Sequence, residues 1–259
     1  MAWDPGQYLK FGGERLRPAL DLLARVPAET PRRVADLGCG AGSLTRILAE
    51  RFQAAEVTGL DGSEEMLAAS RKGAKTAETI RWQRADIAHW NADAPADLIY
   101  SNAALHWLGG HERLFPHLMA QLALGGVLAV QMPRQHNAPS HALIDKIMMQ
   151  FPYMPERMKK NPRPAPVGDP GFYYGLLRPI SASLDIWETE YLHVLQGQDP
   201  VPEFTRSTTL KPVLENLDPG DRDAYMAQYR AACREAYPPR TDGTTLFPFR
   251  RIFMVATNS

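Results

Sequence analysis

Three carboxylates and three glycines early in the sequence have the types and spacing to hold a nucleotide. The segment Asp36-Leu-Gly-Cys-Gly-Ala-Gly42 ends a short apolar run and precedes an amphipathic one. Glycines at a strand-to-helix turn let the backbone approach a ligand closely. The free N–H groups at the helix N-terminus then favour an anionic end. Gly38, Gly40 and Gly42 do not follow the G-x-G-x-x-G spacing of a dinucleotide turn, which disfavours a nicotinamide-dependent oxidoreductase. There is no P-loop lysine, which disfavours a triphosphate. The anion that fits is the carboxylate of a methionine moiety, as in S-adenosylmethionine, with Asp36 facing its amino group. Asp61 closes a second apolar run, where a carboxylate accepts from both ribose hydroxyls. Asp86 follows a third, placed for the exocyclic amine of an adenine, with Met66, Ile87 and Trp90 as apolar walls. Asn102 follows a fourth and is placed for the methionine carboxylate or the methyl-transfer region. Singly, an Asp after a strand is as well explained as a helix cap. Three at successive strand ends, the first leading a Gly-x-Gly-x-Gly turn, are a constellation.

The elements that must position these residues alternate. Short apolar strands are expected over 33–36, 56–61, 80–84, 97–101 and 126–132, with helices over 43–52 and 113–122 and a helix capped by Ser63. Strand and helix alternating at this interval predict an α/β fold, a mostly parallel sheet with helices on both faces. A helix over 8–26 precedes it, with Leu16, Leu20 and Leu23 on one face and Pro18 expected to break or restart it. After Met132 the pattern lapses. Prolines are dense over 151–179, a strand is expected over 184–195, helices over 201–217 and 218–237, and a last strand over 246–256. These assignments give one domain over 1–259: N-terminal cap helices over 1–30, a cofactor-binding half over 31–132, and lid or substrate insertions over 133–180 and 197–245.

The charges balance, with 29 Lys and Arg against 29 Asp and Glu, so no overall field gathers nucleic acid or anionic lipid. No apolar run is long enough to span a bilayer, and the N-terminus lacks the pattern of a signal peptide. Cys39 and Cys233 are far apart and without metal-ligand spacing, which fits a reducing cytoplasm. A monomer without nucleic-acid, membrane or metal partners is expected.

Residues 36–42, Asp61 and Ala85-Asp86-Ile87 resemble the binding motifs of class I methyltransferases. That resemblance implies a Rossmann-like, seven-stranded sheet whose last strand, 246–256, runs antiparallel. A closer likeness extends over nearly the whole chain. Trp3-Asp-Pro5, Tyr8-Leu9, Glu14-Arg15, Arg17-Pro-Ala19 and Leu22-Leu-Ala-Arg-Val-Pro27 are similar to the start of the trans-aconitate 2-methyltransferase family. Ser101-Asn-Ala-Ala-Leu-His-Trp-Leu108, Leu114-Phe-Pro-His-Leu118 and Gly126-Val-Leu-Ala-Val-Gln-Met-Pro133 continue it, as do Leu210-Lys-Pro212 and Phe247-Pro-Phe-Arg-Arg-Ile-Phe253. His106 departs from the pattern, standing where a better-known relative has glutamine, and 150–171 matches poorly.

The resemblance implies S-adenosylmethionine-dependent methylation of a carboxylate of trans-aconitate to a monomethyl ester, with S-adenosylhomocysteine as the other product. A carboxylate with a solution pKa near ~4 is already ionised at neutral pH. No triad, metal or covalent intermediate is therefore expected, and the enzyme's task is positioning. A small tricarboxylate needs donors and cations, and the candidates are Tyr8, His106, Trp107, Lys211 and Arg251. Strand alternation should send Arg250 and Arg251 to opposite faces. Arg157, Lys159, Lys160 and Arg163 read as a solvated run, Arg15 as an ion-pair partner, and of Tyr173 and Tyr174 at least one as core. The alternatives are a methyltransferase acting on another carboxylate, such as malonyl-acyl-carrier protein, and a non-catalytic adenosylmethionine-binding protein.

Overall fold

A computed structural model of the chain describes residues 12–72, 79–156, 167–206 and 208–259. The elements in order are α1 (Gly12–Ala24), β1 (Arg33–Leu37), α2 (Ser43–Arg51), β2 (Glu56–Asp61), α3 (Glu64–Lys72), β3 (Arg81–Arg84), β4 (Ala96–Asn102), α4 (His111–Ala120) and β5 (Leu122–Pro133). Then come α5 (Pro139–Gln150), α6 (Pro170–Leu177), β6 (Ser181–Leu195), α7 (Pro200–Arg206), α8 (Lys211–Leu214), α9 (Pro219–Ala236) and β7 (Thr245–Asn258). The strands form a seven-stranded sheet in the order β3-β2-β1-β4-β5-β7-β6. β1 to β5 pair in parallel, and β7 lies antiparallel against β5. This is the Rossmann-like class I methyltransferase fold, with the strand order reversing between β1 and β4, where α/β sheets open a crevice.

The register decides which side chains share a face. Asp36 pairs with Gly59 on β2 and Tyr100 on β4, Asn102 with Gln131, and Gln131 with Phe253. Residues two apart on a strand point the same way. Asp61, Asp36, Asn102, Gln131 and Arg251 therefore share one face of the sheet.

The chain forms two compact units. Of the described residues, one comprises those within 16–133, 167–189 and 251–259, the other those within 12–15, 134–156 and 190–250. The first is built on buried strand residues such as Leu37, Leu60, Ile99 and Leu128, with Phe115, Leu118 and Tyr173 from its helices. The second has its own core, in which Ile144, Met148, Val213, Tyr225 and Tyr229 pack with Phe204, Phe247 and Phe249. Both stretches expected as lid or substrate insertions contribute residues to that second core.

Several expectations are corrected by tertiary packing. α1 continues through Pro18 instead of breaking, with the ring buried. Its inner face is Ala19, Leu22 and Leu23, and Leu20 is exposed. α4 contains Pro116, as the expected helix over 113–122 did, but Leu122 opens β5 instead of ending the helix. The helix expected over 201–217 is two, α7 and α8. Ser63 caps α3 as expected, its Oγ accepting from Met66 N at 3.3 Å.

The interior of the first unit is tied to α1 by one side chain. The Tyr100 hydroxyl, fully buried, donates to the carbonyl of Ala19 at 2.5 Å. Tyr100→Phe removes that donor while the carbonyl keeps its helical N–H partner, and the expected loss is about 0.5–1.5 kcal/mol in urea unfolding. Unchanged stability would show that the bond contributes nothing.

Candidate functional site

The turn after β1 is held down by the end of β2. The N–H groups of Gly38 and Cys39 both donate to the Leu60 carbonyl, at 2.8 and 2.9 Å. The Gly40 N–H donates to Asp61 Oδ2 at 2.9 Å. Gly38, Gly40 and Gly42 all have positive φ, of 75°, 55° and 80°. Their neighbours differ. A Cβ at Gly38 would lie 2.2 Å from the Cβ of Ala104, and one at Gly42 would lie 2.4 Å from the Trp82 ring. A Cβ at Gly40 would meet nothing within 4 Å. Packing excludes side chains at 38 and 42, whereas Gly40 faces open space. α2 starts from Gly42 without a side-chain cap, so the N–H groups of its first turn can serve an anion. Trp82 sits between Gly42 and Gly59, with the Arg46 guanidinium 5.4 Å from its ring and Arg46 Nη1 donating to Ala41 O.

The three acids have different surroundings. Asp36 is buried, and its Oδ2 accepts from Thr45 Oγ1 at 2.6 Å. Burial pushes its carboxyl up to about 7, the Thr45 hydrogen bond opposes that rise, and the charge of Asp61 adds to it. Asp61 accepts from Gly40 N through one oxygen and from Ser63 N, at 2.8 Å, through the other. Each oxygen keeps a lone pair for a further donor such as a hydroxyl. Asp86 caps the short turn Ile87–His89, accepting from Ala88 N at 3.0 Å and lying 2.9 Å from His89 Nδ1. The hydrogen bond to His89, then that from Ala88, hold its carboxyl below the usual range. Ile87 and Met66 are half-buried, and Ile87 reaches the glycine turn, 3.7 Å from the Cβ position of Gly38. Trp90, expected as a purine wall, is a core residue. Cys39 is buried within the turn, and burial together with Asp36 and then Asp61 pushes its thiol up.

A second loop follows β4. Asn102 ends the strand, and its Oδ1 is buried with no hydrogen-bond partner. Ala103 has φ 53°, a strained conformation for a residue with a Cβ, and its N–H donates to Gln131 O at 2.9 Å. The turn Leu105–Trp107 comes next, held by buried His111, whose Nε2 lies 3.0 Å from Leu105 O and whose Nδ1 lies 2.8 Å from the Tyr173 hydroxyl. His106 packs beside Trp107, with ring centroids 4.7 Å apart, and Trp107 is 49% exposed.

Arg250 and Arg251 do part as strand alternation requires. Arg250 is exposed and 3.7 Å from Glu190, whereas Arg251 is 4% exposed. Arg251 Nη1 donates to Gln131 Oε1 at 3.4 Å. Lys211 belongs to the other unit, 3.9 Å from Glu215. Tyr8 and the basic run at Arg157, Lys159, Lys160 and Arg163 lie outside the described residues. Tyr173 is core and Tyr174 is exposed. The sequence reading missed Gln131, and its signal was a single amide in the apolar strand Val-Leu-Ala-Val-Gln-Met. It also missed His111 and Trp82, whose partners are distant in sequence.

The described residues bring no three His, Cys, Asp or Glu together as a metal set, and no helix among them is long and apolar enough to cross a membrane. A family described as a methyltransferase domain matches residues 34–126. A protein of Azoarcus sp. (strain BH72) named trans-aconitate 2-methyltransferase is 44% identical over 254 residues, 98% of each chain. One of the same name from Rhizobium rhizogenes is 42% identical over 99% of each. Among solved structures, the YcgJ protein from Bacillus superposes with a TM-score of 0.61 at 17% identity, covering 93% of this chain and 98% of that one. An S-adenosylmethionine dependent methyltransferase from Mesorhizobium loti gives 0.52 at 20% identity, covering 96% and 100%.

The glycine turn gives a paired prediction. Gly38→Ala forces a Cβ onto Ala104 as well as straining φ, and should lower the melting temperature strongly. Gly40→Ala strains φ alone, an expected ~1–2 kcal/mol, and its larger effect should be on ligand affinity read by calorimetry. Equal melting temperatures for the two variants would contradict this contrast.

Asp36 gives a pH dependence. Its folded pKa is raised, so between about pH 4 and 7 the folded chain keeps a proton that the unfolded chain has released. Its effect on stability is therefore most favourable at low pH and declines as pH rises through about 7. Asp36→Asn removes that slope. Relative to wild type, the variant should gain about 2–3 kcal/mol between pH 5 and 7.5 in urea unfolding, at ~1.4 kcal/mol per pH unit. A constant difference across that range would show that Asp36 does not titrate there.

Proposed function

The chain belongs to the trans-aconitate 2-methyltransferase family, and from that premise we propose that it methylates a carboxylate of trans-aconitate, using S-adenosylmethionine, to give a monomethyl ester. The observation that carries the choice of substrate is identity of 44% over 98% of both chains to a protein of that name. It favours this acceptor over a malonyl-carrier protein.

The residues present fit the cofactor. Gly40 leaves space for a ligand against the backbone, Asp36 is a buried carboxyl in the same turn, and Asn102 presents a buried acceptor without a partner. S-adenosylmethionine, when bound, supplies an electrophilic methyl group on a sulfonium. In this reading Asp36 takes the ammonium, ionising as it does so, with Asn102 Oδ1 as a second acceptor. The N-terminus of α2 faces the methionine carboxylate. Asp61 accepts from the ribose, Asp86 from the adenine amine, and Met66 and Ile87 flank the base.

The acceptor carboxylate is ionised at neutral pH, so no residue of the chain has a proton to remove. Alignment of the reacting atoms is the remaining source of rate, and can supply ~7–11 kcal/mol. Arg251 suits a carboxylate that is held and not methylated, since a guanidinium offers two parallel donors and stays charged. His106 and Trp107 are assigned to the substrate side on their position after β4.

An assay of methyl-ester formation over di- and tricarboxylates tests the reading. The wild type should turn over trans-aconitate, and Arg251→Met should raise its KM about 10–100-fold, as expected for a charged hydrogen bond. Affinity for S-adenosylhomocysteine should barely change. Absence of turnover with trans-aconitate would overturn the substrate, and an unchanged KM would remove Arg251 from the site.

A further inference from the structure

The centre of β5 carries a side chain whose state is hard to explain by folding alone. Gln131 is fully buried among the apolar residues of its strand. Its register partners are Asn102 on β4 and Phe253 on β7. Arg251, two residues along β7 from Phe253, lies on the same face and donates through Nη1 to Gln131 Oε1 at 3.4 Å.

That contact fixes the orientation of the amide. A guanidinium has donors only, so the oxygen of Gln131 must face it and the NH2 group must point away. The Nε2 so directed is buried and has no hydrogen-bond partner. A buried donor without an acceptor is destabilising. Methionine would fill similar volume without that penalty, and glutamate would pair with Arg251 directly. Glutamine does neither. It leaves a free donor beside a buried cation, and a cation with an adjacent N–H donor is a receptor for a carboxylate.

The neighbouring orphan points the same way. Asn102 Oδ1 is a buried acceptor without a partner on the adjacent strand, yet it does not bond to Gln131 Nε2. An unused acceptor and an unused donor side by side are matched to two different groups, a cationic ammonium and an anionic carboxylate.

We propose that Gln131 is a specificity-determining residue that contacts the acceptor: its Nε2 donates to the trans-aconitate carboxylate gripped by Arg251, while its Oε1 holds the guanidinium in place. The proposal rests on the trans-aconitate reading above.

Two substitutions test it, read by KM for trans-aconitate, calorimetric affinity for S-adenosylhomocysteine and melting temperature. Q131E keeps the oxygen facing Arg251 and removes the donor. It should melt at or above wild type, bind S-adenosylhomocysteine as wild type does, and show a KM raised about 100-fold or more by the lost donor and the added negative charge. Q131M removes the donor without adding charge and should raise KM about 10–100-fold. A purely structural role predicts the reverse pattern. Q131E, which preserves the Arg251 contact, would then leave KM unchanged, and that result overturns the proposal whatever Q131M does. If Q131M does not fold, Q131E alone decides. A wild type that leaves trans-aconitate unmethylated overturns the substrate reading and this proposal with it, and is distinguishable because it appears before any variant is made.

Discussion

The site depends on how the turn after β1 is seated on the end of β2. One carbonyl, that of Leu60, accepts from two successive N–H groups, and the next residue, Asp61, takes a third through its side chain. Such a seating brings backbone against backbone. Side chains are excluded at 38, 42 and 59, where Ala104 and Trp82 already occupy the volume. Trp82 in turn lies beneath Arg46, which reaches back to the carbonyl of Ala41. The turn is braced on several sides and open at Gly40. A ligand meeting that opening finds its donors already fixed, and little ordering remains to oppose binding.

Polarity varies in order across the sheet. Along β2, β1, β4, β5 and β7 the same-face residues are Asp61, Asp36, Asn102, Gln131 and Arg251. The sequence passes from carboxylates, through a side-chain amide with an unused acceptor and one with an unused donor, to a guanidinium. In the reading proposed above, a cofactor cationic at its amino end and an anionic acceptor would be sorted to opposite ends of this row before any shape is considered. Zero net charge is compatible with such sorting, since only the local arrangement matters at short range.

Much of this was legible in the sequence because the relevant signals are local. The glycine turn, the acids at strand ends and the apolar strands each occupy a few consecutive residues. The split of Arg250 from Arg251 follows from the pleat alone. Other features were hidden because their causes are tertiary. Pro18 read as a helix breaker, yet α1 continues through it with the ring buried. The stretches around 133–180 and 197–245 read as lid or substrate insertions, yet their apolar residues meet in a second core formed by segments far apart in the chain. Gln131 read as one polar letter in a strand, and its state is defined by an arginine 120 positions away.

The buried thiol of Cys39 bears on chemical selectivity. A sulfonium methyl donor is an electrophile towards any soft nucleophile, and sulfur is softer than the oxygen of a carboxylate. A cysteine inside the cofactor turn is thus an internal competitor for the methyl group. Only the thiolate is strongly nucleophilic. Burial and the two nearby carboxylates disfavour that anion, so the sulfur stays protonated and inert at neutral pH. The acidic residues proposed to suit the turn to a cationic ligand are the same ones that disfavour a thiolate within it.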